Sequence, residues 1–446
     1  MKIPRALRPL TTPAYRWLAA ALVSSLVGSG VWMVALVWQI VAIGGGAADL
    51  SLAAGAAAVG MLLTTLLGGA LADRMPQRRI LLVVEATRAV TIGIVALLAL
   101  SGMIELWHLA AVAFVGGVMG GLYYPAYSAL LPTVLPEDQL LAANGFEGMT
   151  RPVLMQAGGP ALASALIAVT SPGAALAVTA LTGAVAVLFI LRLPKPAAPP
   201  EPATDEPAAP ATSLLGDVRE GFRYMVRTPW LLGTLVFASL LIFVMMGPFE
   251  VLVPFAIKDN AGGGPAQHAL VLAAFGIGGA VGSLVIASIK LPRRYLTVMN
   301  LLWAGGCLPL IAFGLTDQVW VMVIAAFLVG AAFNAGVVIW GTLLQRRVPS
   351  NMLGRVSSLD FFVSLAFMPV SMALAGPAGQ TLGLPVVFLI AGLAPLLIGA
   401  VAIFAARMTR DEIAHPLDTP DAENTSDAEI TAEPVAAEPE LVGSNH

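Results

Sequence analysis

Twelve stretches of about 20 mostly apolar residues run through this 446-residue chain. A helix of that length crosses a bilayer, and once water is gone every backbone polar group must be satisfied within the segment. The first half carries such runs at about Trp17–Ile43, Leu50–Ala72, Ile80–Leu100, Leu106–Leu131, Asn144–Val169 and Pro172–Leu191. The second half carries them at about Trp230–Ile257, His268–Ile289, Tyr295–Leu315, Val319–Leu344, Ser357–Thr381 and Pro385–Ala406. They predict an all-α polytopic membrane protein with twelve transmembrane helices. The first run is too long for a signal-peptide core and another follows at once, so it is expected to remain uncleaved.

Composition excludes the main alternatives. The chain is 58% hydrophobic and 11% charged, with a mean hydropathy of +0.87, whereas soluble domains are about 25% charged. One cysteine, Cys307, leaves no internal disulfide and no Cys-based metal centre, and is expected to pack in span nine. Of four histidines, His108 and His268 fall at segment edges and His415 and His446 in the tail. No metal, no cofactor and no enzymatic nucleophile–base cluster is expected. No basic run suits nucleic acid either.

Orientation follows from the cations. With a cytoplasmic N-terminus, 20 of the 23 Lys and Arg residues fall on the inner face. Outer loops receive only Lys258, and Arg88 and Arg151 lie within spans. This predicts a multi-pass inner-membrane protein with both termini cytoplasmic. From Arg407 onward the tail holds ten acids and two bases, leaving 21 basic and 16 acidic residues elsewhere.

Four regions are expected: a six-helix bundle over 1–193, a linker over 194–229, a second six-helix bundle over 230–406, and a disordered acidic tail over 407–446. The linker reads PKPAAPPEPATDEPAAPAT from Pro194, which suits an extended segment. In Ser213–Arg227, Leu214, Val218, Phe222 and Met225 share one helical face. That predicts an amphipathic helix, either on the inner leaflet or packed on protein. The halves also echo each other. Leu130–Pro136 (LLPTVLP) and Leu343–Pro349 (LLQRRVP) align, and the same offset sets Glu147 opposite Asp360 and Met155 opposite Met368. Six-plus-six repeats place the substrate site at the midplane where the halves meet.

Between spans two and three stands Gly68-Gly69-Ala70-Leu71-Ala72-Asp73-Arg74-Met75-Pro76-Gln77-Arg78-Arg79. It resembles the signature loop of the major facilitator superfamily, with Pro76-Gln77 where a glycine usually precedes the last basic pair. Glu85-x-x-Arg88, Ala143-Asn144-Gly145 with Gly158-Gly159-Pro160, and Gly354-Arg355-Val356-Ser357-Ser358 resemble the enterobactin-exporter and macrolide-efflux branch of that superfamily. The resemblance implies two six-helix pseudo-repeats and export from the cytoplasm. It implies gating roles for Asp73, Arg74, Arg78, Arg79 and Arg355, and a central cavity lined by spans one, four, seven and ten. The Gly-Pro of span five also resembles the antiporter motif of drug–proton exchangers, but Ala163-Ser164 replace its glycine pair and span four lacks an arginine.

An ionisable residue inside a span costs a few kcal/mol or more and is a functional candidate by default. Glu85 and Arg88 stand three apart and Glu147 and Arg151 four apart, so each pair is expected to neutralise itself. Asp360, early in span eleven, suits that helix's N-terminus. Glu250 differs: Pro248 and Pro254 bracket it and no base lies within a turn, which suits proton exchange or a cationic substrate. Its position far along span seven, at 1.5 Å of rise per residue, equally fits a solvated carboxylate at the outer rim. Candidate cavity residues are Trp32, Met33, Trp38 and Gln39, then Tyr123, Tyr124 and Tyr127, then Phe243, Met245 and Met246, with Asn334 and Trp340. Such large, adaptable, weakly charged surfaces take varied apolar ligands.

The reading is a monomeric secondary transporter that exports a drug- or siderophore-like amphipathic molecule by alternating access, in exchange for protons. The alternatives are a lysophospholipid-type substrate and a ligand sensor that moves nothing.

Overall fold

The computed structural model describes residues 5–194, 214–289 and 291–417. Among the described residues, twelve helices are long and apolar enough to cross a membrane, and they form spans one to twelve. In the first half these are Pro13–Ala42, Ala47–Thr65, Gln77–Leu100, Leu106–Val134, Ala142–Val169 and Pro172–Leu191. In the second they are Pro229–Asn260, Pro265–Ser288, Tyr295–Leu315, Val319–Arg347, Leu359–Leu382 and Leu384–Ala405. Among the described residues there is no strand. The protein is an all-α multi-pass membrane protein.

Local sequence explains the boundaries. Proline opens spans one, six, seven, eight and twelve within the first turn, where its missing N–H is harmless. The helix of span five starts at Glu137 after Pro136, and that of span eleven at Ser350 after Pro349, so the repeat is visible in the backbone. At the end remote from the termini the turns use glycine in the left-handed region: Gly44, Gly102, Gly262 and Gly383, with φ of 83°, 74°, 60° and 82°.

Both halves pack alike. Span two lies on four and span eight on ten. A methyl on Gly117 or Gly60 would strike the carbonyls of Ala57 or Phe114, and one on Gly278 or Gly330 those of Phe327 or Phe275. Small residues let these backbones approach, as membrane helices require. The halves join at the remote end, where the Gly376 amide of span eleven donates to Ser51 Oγ of span two at 2.6 Å. Nearer the middle, Gly276 of span eight abuts Gln156 of span five.

Spans five and seven are not uniformly α-helical. They carry π-helical turns at Val153–Gly158, Pro248–Leu252 and Ala256–Asn260. Prolines 152, 248 and 254 remove ladder donors there, and a wider turn accommodates the loss.

The tail departs from expectation. Composition predicts disorder from residue 407, yet Met408–Ala414 is a helix in which Met408 and Glu412 are buried. The Glu412 carboxylate accepts from the Thr297 amide at 3.0 Å and its hydroxyl at 2.7 Å, satisfying the first turn of span nine. Asp411 pairs with Arg347 at 2.8 Å, and that guanidinium lies 4.6 Å from the Trp230 ring centroid. Two acids of the tail thus have fixed partners that a composition average hides. Residues 418–446 lie outside the described residues, as does the linker over 195–213. The helix after it, Leu214–Arg227, packs on spans seven and eleven. Met225 is buried there while Phe222 and Val226 face outward, so the expected apolar face is divided between protein and surroundings. The side chains of Leu214 and Val218 lie outside the described residues.

Candidate functional site

A cavity of about 490 Å³ lies between the halves, running from the middle of the fold towards the closed remote end. Span one contributes Ser25, Ser29, Trp32 and Met33, span three Arg88, span four Tyr123 and Tyr124, and span five Arg151 and Met155. Spans seven, eight and eleven add Phe249, Glu250, His268, Met368 and Met372. The wall is mainly aromatic, Met and aliphatic, and it includes the charged or titratable side chains of Arg88, Arg151, Glu250 and His268.

Two of these are neutralised within the first half. Arg88 meets Glu85 at 3.2 Å and donates to Ser25 and Ser29 at 2.8 and 3.0 Å, while Ser25 donates to Glu85 at 2.6 Å. Glu85 is fully buried, and its second oxygen has no hydrogen-bond partner among the described residues. Arg151 pairs with Glu147 one turn earlier and stacks over Tyr124, 5.6 Å from its ring centroid. Spans one and five can cross close to these groups because Gly30 and Gly159 face each other with no side chain between.

The other two stand apart. Glu250 sits in the π turn of span seven, partly buried and facing the cavity, with no ion pair or hydrogen bond among the described residues. It is partly buried rather than fully solvated: the residues flanking it, Phe249, Val251 and Leu252, are buried, and this turn packs on span eleven. His268 belongs to the first turn of span eight, is 4% exposed, and its Nδ1 has no partner among the described residues. The sequence places it at a segment edge. Its burial comes from the span starting at Pro265, which carries the ring inward by one turn.

Other expected residues are placed elsewhere. Span ten does not line the cavity: Asn334 bonds its own helix at Gly330, and the Trp340 indole donates to Asp360 at 2.9 Å. Asp360 also accepts from Ser364 at 3.3 Å, and it lies deep in its helix, Ser350–Leu365, rather than at the N-terminus. Gln39 is buried within span one, Tyr127 stacks on Tyr123 at 6.2 Å, and Phe243 meets Phe367 edge-on at 6.0 Å. Trp38, Met245 and Met246 do not line the cavity either. Arg78 donates to the carbonyls of Ile190 and Leu191, capping span six, and Arg79 is exposed. The side chains of Asp73, Arg74 and Arg355 lie outside the described residues. Cys307 is buried and bonds the Trp303 carbonyl within span nine. Among the described residues no cluster suits a metal ion.

Similarities to known proteins agree with this architecture. A family described as transmembrane secretion effector matches residues 5–433. The multidrug efflux pump Tap of Mycolicibacterium fortuitum is 29% identical over 87% of this chain and 94% of its own. Macrolide efflux protein A of Streptococcus pyogenes is 24% identical over 82% and 90%, and the enterobactin exporter EntS of Shigella dysenteriae 26% over 94% and 97%. In fold, the chain superposes on a crystal structure of the nucleoside transporter NupG with a TM-score of 0.71 at 12% identity, covering 87% of this chain and 99% of that one. The chain belongs to the transmembrane secretion effector family, and is an efflux-type transporter of the major facilitator superfamily rather than an enzyme.

Proposed function

We propose that the protein exports a cationic amphipathic small molecule across the inner membrane by alternating access, in exchange for protons, as a monomer with both termini in the cytoplasm. One observation carries this reading: Glu250 faces a mainly aromatic, methionine-rich and aliphatic cavity with no ion pair or hydrogen bond of its own among the described residues. An intramembrane carboxylate without a partner has a ligand or a proton to hold. The first-half arginines add no free positive charge, because Glu85 and Glu147 neutralise them. With the termini cytoplasmic, the closed remote end is the outer one, and cargo reaches Glu250 from inside. There its positive group binds the carboxylate while the apolar body rests on Trp32, Phe249 and the methionines. After the halves rock, an outside proton on the same carboxylate releases the cargo, and its return delivers that proton inward. The names of the relatives, a multidrug efflux pump, a macrolide efflux protein and an enterobactin exporter, support outward movement of small molecules.

The test uses everted membrane vesicles with an acidic lumen. Tetraphenylphosphonium, macrolides, catecholate siderophores and lysolipids are added in turn while proton release is recorded. Wild type is expected to release protons with the lipophilic cation, and Glu250→Gln to lose at least about tenfold of that rate, a change of about 1.4 kcal/mol in the barrier. Release that persists unchanged in Glu250→Gln removes this carboxylate from the path. Silence with every class defeats proton exchange itself.

A further inference from the structure

A second cavity of about 440 Å³ lies between spans four and five, on the side of the termini. Tyr124, Ser128, Asn144, Glu147 and Arg151 give it a polar wall. Two of these, Tyr124 and Arg151, also line the central cavity, so this pair is the partition between the two spaces. The Arg151 guanidinium is bound there by the Glu147 carboxylate and by the face of the Tyr124 ring, 5.6 Å from its centroid.

A carboxylate beside an aromatic face is the arrangement that takes up organic cations. We propose that the Glu147–Tyr124 corner is an access site for the cationic group of the cargo, occupied in this structure by Arg151 as an internal stand-in. The arriving cation displaces Arg151, and the freed guanidinium opens the way to the central cavity. This identification of the cargo rests on the cationic-amphiphile reading above; the site itself rests on the geometry.

The contrast with the neighbouring pair supports an exchangeable role. Glu85 and Arg88 are 0% and 17% exposed and are tied by two serines, so nothing can replace the guanidinium cheaply. Arg151 is 38% exposed, and no hydrogen bond joins it to any described residue except Glu147. Leaving its site returns a partly hydrated guanidinium to water rather than stranding it. Tyr124 is 58% exposed, so its ring is accessible to an incoming ligand. Glu147 remains buried at 8%, which preserves the strength of its attraction for whichever cation occupies the corner.

The experiment measures tetraphenylphosphonium binding to the purified full chain in lipid nanodiscs. Wild type is expected to show one strong site, lost in Glu250→Gln. Arg151→Gln vacates the corner, and a second site is expected, at least about tenfold tighter than any secondary binding to wild type. That added site should vanish in Arg151→Gln/Glu147→Gln and weaken about tenfold in Arg151→Gln/Tyr124→Leu. Unchanged stoichiometry in Arg151→Gln, or an added site that survives Glu147→Gln, overturns the proposal. A second readout keeps native Arg151: Ser128→Cys introduces a thiol into this cavity, while Cys307 is buried. Tetraphenylphosphonium should slow maleimide labelling of that thiol in both the Glu250 and the Glu250→Gln backgrounds. Protection that needs Glu250 places the cation only in the central cavity and overturns the access site. If wild type shows no Glu250-dependent site while Arg151→Gln still gains its added one, the function proposed above fails and the corner stands.

Discussion

In the first half, the acid at position 147 meets an arginine four positions on; in the second, the acid at position 360 meets a serine at the same spacing. The offset between these two acids is the one that also relates the proline-marked starts of their helices, Glu137 and Ser350. The difference extends beyond one site. The first half neutralises its intramembrane charge internally, with Glu85 on Arg88 and Glu147 on Arg151. The second half holds Asp360 with neutral donors and leaves Glu250 facing the cavity. The two halves therefore differ in charge at rest: the first presents a charge-balanced wall, the second a carboxylate with no ion pair among the described residues.

The strongest way to break this comparison is to unbalance the first half. Glu85→Gln leaves the mostly buried Arg88 without its counter-charge, and should cost about 3–5 kcal/mol, seen as a lower denaturation midpoint in detergent. The double change Glu85→Gln/Arg88→Met should recover most of that loss, since it removes the stranded charge. A neutral single variant would mean that the internal pairing is incidental.

The next effect falls on the terminus-side rim of the second half. Glu412→Ala strips two hydrogen bonds from the first turn of span nine, and about 1.5–3 kcal/mol should be lost because the acceptor is charged. The same denaturation series checks it. An unchanged midpoint would show that burial of Met408, the Asp411–Arg347 pair and the Tyr295 bond to His415 hold the tail helix without it. Smaller again is Asp360→Asn. The amide oxygen still accepts from the Trp340 indole, so a cost of about 1 kcal/mol or less is expected, with export intact. A loss of export there would show that the second half's two carboxylates act together, and that Glu250 is not the sole exchanging group.

What the sequence disclosed follows a physical line. Spans are legible because a long apolar run has one stable fate in lipid, and the pairs Glu85–Arg88 and Glu147–Arg151 because helical spacing alone brings them together. The repeat is legible because proline at 136 and 349 fixes a helix start from local geometry. What escaped depends on tertiary placement. Trp340 looks like a cavity aromatic until span eleven is packed beside it and Asp360 accepts from its indole. His268 looks like an edge residue because hydropathy marks where a run begins, not which way the first turn faces. For Glu250, position along the helix does not tell which neighbours face it, and the packed fold turns it to the cavity. The tail helix escaped for a different reason: its stability comes from Thr297, Arg347 and Tyr295, all remote from it in the chain.

An effect on binding rather than on stability sharpens the comparison most. Met155 in span five and Met368 in span eleven are related by the same repeat, and both line the central cavity. They reach it from opposite halves with the same side chain. Methionine contributes through contact and polarisability, and each such contact with an aromatic ligand is worth about 0.3–1.5 kcal/mol. Met155→Ala and Met368→Ala should therefore each weaken tetraphenylphosphonium binding about two- to tenfold. If the halves clasp the cargo jointly, the two losses should be similar, and the double variant should show their product. The first half supplies most of the cavity wall, however, so a cargo held by that half alone would feel only Met155→Ala. Equal losses would place the apolar body of the cargo between the halves and confine the difference between them to charge; a one-sided loss would extend that difference to the apolar surface as well.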